Sequence, residues 1–138
     1  KSVEIFIFVS EQWVLISVLM GLVYFLIWSE RSKGGKPITA NELVAMMNAD
    51  TAVLVDVRPA SEFQSGHIHG AINIPHNKVD GRIGELEKSR SKILVMADHM
   101  GQHAGSAGRK FSKEGYNVRR LSGGMGEWQA QSMPVVRD

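Results

Sequence analysis

The chain contains no cysteine in its 138 residues, which removes disulfides, thiolate metal ligands and thiol nucleophiles together. A block of like charge is absent too. Sixteen Lys and Arg against 14 Asp and Glu leave a net charge of +2, and the basic residues behind the pI near 9.1 are spread along the chain, which argues against a nucleic-acid partner. Proline is scarce, at four residues, and internal repeats and low-complexity tracts are missing. What remains is the composition of a folded protein with room for one ordinary domain and a short appendage, but not for two globular domains.

Charge itself is missing from Gln12 to Ser29, where Trp13 to Trp28 reads WVLISVLMGLVYFLIW. At about 1.5 Å per helical residue this run falls a little short of a hydrocarbon core of about 30 Å, so its flanks must contribute. Ile5 to Val9 are apolar as well, and Trp13, Tyr24 and Trp28 stand near the ends, where aromatic rings favour the headgroup region. A core helix would keep one polar face, and this segment keeps none. A cleaved signal peptide would want small residues where Leu26, Ile27 and Trp28 stand. The expectation is an N-terminal anchor over residues 1–31, spanning about 10–29. Arg31, Lys33 and Lys36 follow the span, whereas Lys1 before it is offset by Glu4 and Glu11, which puts the C-terminal side in the cytoplasm by the positive-inside rule. The first residue is Lys rather than Met, so the true start is expected upstream. Ser32 to Pro37 (SKGGKP) reads as a flexible polar linker, and residues 38–138 as the soluble domain.

In that domain strand and helix patterns alternate. Thr39 and Glu42 have capping-box spacing, and Leu43, Met46 and Met47 repeat at helical intervals to about Asn48. Ala52 to Val57 (AVLVDV) is a short β-branched run suited to a strand covered on both faces. A helical turn is expected at Ser61 to Gln64, with further strands at Ala71 to Ile74, Ile93 to Ala97 and Val118 to Leu121. A helix from about His103 to Glu114 is ended by Gly115, and a last short helix at Gly126 to Gln131 carries Trp128. The pattern predicts an α/β fold, a mostly parallel sheet with helices on both faces.

Three blocks of this domain, together covering nearly all of Pro37 to Val136, carry a family resemblance. The first is Leu54-Val55-Asp56-Val57-Arg58, followed by Glu62-Phe63 and then Gly66-His67-Ile68-His69-Gly70-Ala71-Ile72-Asn73-Ile74-Pro75. The second is Ile93 to Ala97 with its following loop and helix, and the third is Leu121-Ser122-Gly123-Gly124 with Trp128 and Pro134. In order and spacing they resemble the rhodanese-like family, and with the anchor the chain resembles the YibN-type membrane-anchored group of bacterial rhodanese-like proteins. The residues themselves suggest scaffold roles. Asp56 accepts loop amides or pairs with Arg58, His67 locks the turn before the second strand, and Trp128 covers the sheet edge.

The resemblance also implies an active-site loop after Ala97. Family members place there a cysteine, a glycine three positions on and commonly an arginine two beyond that, with backbone N–H groups curled around the sulfur. Here the loop is Asp98-His99-Met100-Gly101-Gln102-His103. Gly101 matches, Asp98 replaces the cysteine and His103 replaces the arginine. A carboxylate cannot carry a sulfane sulfur, so transfer through a persulfide is not available to this loop. Three roles are open to Asp98. It caps the helix by accepting the loop's N–H groups, filling internally the place of an anion. Alternatively the loop still binds an anion, small ligand or protein segment with His103 as a pH-dependent donor, or Asp98 is a nucleophile or general base, a role weakened by amide donors that stabilise its charged form.

His99 and His103 are four apart and His67 and His69 two apart, but the latter lie in a motif that binds no metal in the family and the former cross a glycine loop. No metal or cofactor is therefore expected. The leading expectation is a non-catalytic module at the bacterial inner membrane, acting through protein contacts or by ligand recognition, with lipid around its helix and an unidentified membrane or cytoplasmic protein as partner. The alternative is an enzyme of altered chemistry, a sulfurtransferase borrowing a partner's cysteine or a hydrolase using Asp98. A third reading places partner binding on the helix, where Ser17 and Gly21 form a small-xxx-small pair.

Overall fold

The structure, a computed structural model, describes residues 1–137, with the side chains of 30–33 excepted, so the basic flank at Arg31 and Lys33 lies outside the described side chains. The chain divides into two compact units, Lys1–Ser32 and Lys33–Asp138.

The first unit is helix α1 (Ser2–Lys33). Its apolar side chains point to all sides and stay exposed, Trp13 at 66% and Tyr24 at 73%. That rules out a core helix within this chain and matches a helix whose solvent is hydrocarbon. Ser2–Ser29 qualifies as a candidate membrane span, with mean hydropathy 2.0. The candidate span thus starts well before residue 10. Helix continuity explains the gain, since Ile5 to Val9 extend the apolar surface past Glu11.

The second unit is a five-stranded sheet in the order β1-β5-β4-β2-β3, built from β1 (Lys36–Ile38), β2 (Ala52–Asp56), β3 (Ile72–Asn73), β4 (Ile93–Ala97) and β5 (Asn117–Leu121). Every strand pairing is parallel. Between the strands run α2 (Ala40–Asn48), α3 (Ala60–Ser65), α4 (Val79–Arg82) and α5 (Ala104–Lys113), and α6 (Gly124–Ala130) follows the last strand. Thr39 caps α2 as its spacing predicts, its Oγ1 accepting the Glu42 N–H at 3.1 Å. The central strands are buried on both faces. Val55, Leu94 and Met96 join a cluster with Phe111 of α5, while Leu54, Val95 and Ala97 join one with Leu43 of α2 and Trp128 of α6. This period-two alternation makes the unbroken apolar runs of β2 and β4 read as strands with helices on either side.

Two segments differ from expectation. The linker at Ser32–Pro37 is a correction: α1 runs to Lys33, Gly34 and Gly35 are buried, and Lys36–Ile38 pairs with Arg119–Leu121. The glycines serve close approach rather than flexibility. A Cβ on Gly34 would stand 2.8 Å from the Gly105 carbonyl, and Gly35 holds a φ of +97°. His76 to Ser89, without clean periodicity, folds as a 3-10 turn (His76–Lys78), α4 and a second 3-10 stretch (Ile83–Ser89). Buried Val79 and Leu86 hold it against the α5 side of the sheet.

Candidate functional site

Asp98 lies just past the end of β4, at the carboxyl edge of the parallel sheet, where ligands of α/β proteins gather. Its carboxylate is 2% exposed and both oxygens are engaged. Oδ1 accepts the Gly101 N–H, and Oδ2 accepts the N–H groups of His103 and of Ala104, the latter at 3.1 Å. His103, at the N-cap position of α5, makes no side-chain cap bond. Asp98 therefore supplies the acceptor that the helix start lacks, and the three amides that converge there already hold a negative charge.

The rest of the loop is fixed from the other side. The Met125 and Gly126 N–H groups donate to the carbonyls of Asp98 and His99 at 2.6 and 2.8 Å. That approach requires Gly124, whose φ is +60° and whose added Cβ would lie 2.9 Å from the His99 carbonyl oxygen. Gly123, with a φ of +72°, makes the turn before it. The double glycine of the third sequence block thus seats the loop of the second.

The remaining loop residues are exposed. Met100, 65% exposed, crowns the turn. Its N–H donates to Gln102 Oε1 at 3.2 Å, and Gly101 takes a φ of +95°. The ring of His103 stacks on His76, with centroids 3.8 Å apart and planes 7° from parallel. His76 was not singled out in the sequence. Its only signal is its place directly after Ile74-Pro75, which delivers the chain to the same edge of the sheet. A pocket of about 230 Å³ opens here, lined by Arg58, Glu62, His76, Asp98, His99 and His103 among others.

Arg58 lines that pocket and is held by Asp56. Arg58 Nη2 meets Asp56 Oδ2 at 2.7 Å, both side chains buried, and also donates to the Gly66 carbonyl at 2.8 Å. Arg58 is thereby anchored to the scaffold through Nε and Nη2, and it lines the pocket. Glu62 is exposed at the rim. His67 is elsewhere: its Nδ1 lies 2.8 Å from the Phe63 carbonyl, its ring stacks on Phe63 at 3.8 Å, and its backbone bridges to Val136. His69 is exposed beyond it. Trp128 donates its indole N–H to the Pro134 carbonyl at 2.9 Å and packs on the sheet face with Ile38 and Leu43.

Residues 39–131 match the rhodanese-like domain. Over 104 residues the chain is 33% identical to YibN of Escherichia coli, covering 74% of this chain and 73% of that one. It is 31% identical over 94 residues to the thiosulfate sulfurtransferase GlpE of Shewanella oneidensis, covering 67% and 91% respectively. Among solved structures, a rhodanese-related protein from Thermoplasma volcanium superimposes with a TM-score of 0.67 at 28% identity, over 75% of this chain and 99% of that one.

Proposed function

The chain belongs to the rhodanese-like family, in its YibN-type group, and from that premise we propose that it is a membrane-anchored, non-catalytic member that works by binding a protein partner. The observation that carries this reading is the state of the loop cradle. Three backbone N–H groups that would stabilise a bound anion or a persulfide are spent on the buried Asp98 carboxylate. An oxygen nucleophile there cannot accept and pass on a sulfane sulfur.

Chemistry by Asp98 itself is also disfavoured. A general base needs a lone pair directed at the substrate's proton, and here Oδ2 accepts two amides and Oδ1 one, on a residue only 2% exposed. What the loop offers to solvent is a binding surface made of Met100, Gln102, His99 and the stacked His76–His103 pair. The apolar helix α1 supports an anchor in the bacterial inner membrane, and the basic residues after it support a cytoplasmic position for the domain. A thiosulfate:cyanide sulfurtransferase assay on the full chain tests the proposal. The expected turnover equals that of a heat-killed control, and clear turnover would remove it.

A second reading is favoured by the likeness to the sulfurtransferase GlpE. It is a sulfurtransferase-related enzyme that receives a cysteine from its partner over the same pocket. It predicts sulfur transfer that appears only when a cysteine-bearing partner is added.

A further inference from the structure

We infer that Arg109 and Arg120 form a second binding site of the domain, one that takes a phosphate dianion over the bare backbone of Gly105. Each guanidinium brings its Nη1 to 3.9 Å from the point where a Cβ of Gly105 would stand, and beyond the helix's own first turn no other described atom comes within 4 Å of that point. The missing side chain leaves a gap with two converging cations on its walls. Their Nη1 atoms are no further apart than twice that distance.

Arg120 is held in place by donating from Nε to the Gly35 carbonyl at 2.8 Å, and both arginines are half-buried. Neither has a carboxylate partner among the described residues. Exposed Lys78, Lys88, Lys113 and Arg137 lack one as well, but water solvates each of those singly. Two half-buried guanidiniums that share one gap lose hydration and repel each other, and an anion between them relieves both costs.

Arg120 also lines a pocket of about 250 Å³ beside the gap, together with Pro37, Met100, Gly101, Ser122 and Gly123 among others. It shares no lining residue with the pocket that holds His76 and His103, so the site is distinct from the cradle spent on Asp98. No carboxylate lines it. Asp98 lies behind Gly101 with its charge taken up by three amides, and Glu127, next to Gly123, accepts a hydrogen bond from Gln131 at 2.9 Å.

Charge and shape select the ligand. Two guanidiniums, each a planar fork of donors, match an anion with two charges and several oxygens. A phosphate monoester carries about −1.5 to −2 near pH 7, whereas a phosphodiester carries a single charge. The first turn of α5, where Gly105 lies, adds partial charge of the same sign, but the two side chains carry the site. The adjoining pocket leaves room for whatever is esterified, so the ligand is orthophosphate or the phosphate ester of a small molecule.

The full chain in neutral-detergent micelles tests this by calorimetric titration with inorganic phosphate, at an ionic strength kept constant with chloride. Saturable binding is expected, with glycerol 3-phosphate binding comparably and the diester glycerophosphoglycerol, the form found in lipid headgroups, more weakly. Arg109→Gln should weaken phosphate binding on the order of tenfold or more, the worth of a charge-assisted hydrogen bond. In Gly105→Ala the added methyl fills the gap at 3.9 Å from both guanidiniums and suits the helix better than glycine does. Its melting temperature should hold or rise while phosphate affinity falls. No saturable uptake by the parent chain, or unchanged affinity in both variants, would overturn the site. A diester that binds as tightly as the monoester would overturn the assignment to a phosphate dianion.

Discussion

Asp98 and Ala104 are joined by a 3.1 Å hydrogen bond from the Ala104 N–H to the Asp98 carboxylate, so a residue at the end of β4 caps α5 from six positions upstream. Strand, loop and helix are locked by one side chain at the carboxyl edge of the sheet.

Removing that side chain should cost stability. In Asp98→Ala the N–H groups of Gly101, His103 and Ala104 lose their acceptor in a buried site, and the expected loss is about 1–3 kcal/mol. Added formate should restore part of it by entering the vacated cradle. Urea unfolding with and without formate gives the answer, and an unchanged midpoint would show that the cradle is not holding the loop.

Asp98→Cys should do the reverse for chemistry. A thiol at this position receives the same amide field, which favours the thiolate. Mass spectrometry after thiosulfate treatment should show the gain of one sulfur atom in the variant and none in the parent chain. A variant that folds but never takes up sulfur would mean the pocket has lost more than its nucleophile.

The buried Asp56–Arg58 pair predicts a larger effect. Arg58→Met leaves an ionised Asp56 without its partner at 1% exposure, with an expected cost of about 3–5 kcal/mol. Asp56→Asn combined with Arg58→Met should be milder than the single change, because no charge is then stranded. Equal or additive losses in denaturant unfolding would contradict this.

Glycines at two positions should respond oppositely. Gly124→Ala meets both a positive φ and the loop carbonyls of Asp98 and His99, so it should destabilise and disorder the loop. Gly81, in α4 with nothing near its missing Cβ, should tolerate Ala with a gain of up to about 1 kcal/mol. Paired melting curves of the two variants decide the matter.

Burial pushes the Tyr116 hydroxyl above its ordinary pKa, with the guanidinium of Arg90 over its ring partly opposing the shift. The folded state therefore holds this proton more tightly than the unfolded chain. Its contribution is fully present below about pH 10 and is lost as pH rises through the folded value. Stability measured across the alkaline range should fall with pH in the parent chain and less steeply in Tyr116→Phe.

Much of this was legible in the sequence for local reasons. The charge-free run from Gln12 to Ser29 marks a candidate membrane span by itself. The β-branched runs of β2 and β4, the capping residues at Thr39 and the glycine after α5 each mark an element by themselves, and the carboxylate that follows β4 is visible as Asp98. The family resemblance likewise rests on short contiguous motifs. Tertiary structure alone decided what depends on partners distant in the chain. Lys36-Pro37-Ile38 has one inward apolar residue and no strand signal, and becomes β1 only because β5 offers it an open edge. His76 and His103 stack because two loops end at the same side of the sheet. The engagement of both Asp98 oxygens likewise required the folded loop, since a sequence names the carboxylate but the direction of three backbone N–H groups is set by the turn that Gly101 and Gly124 allow.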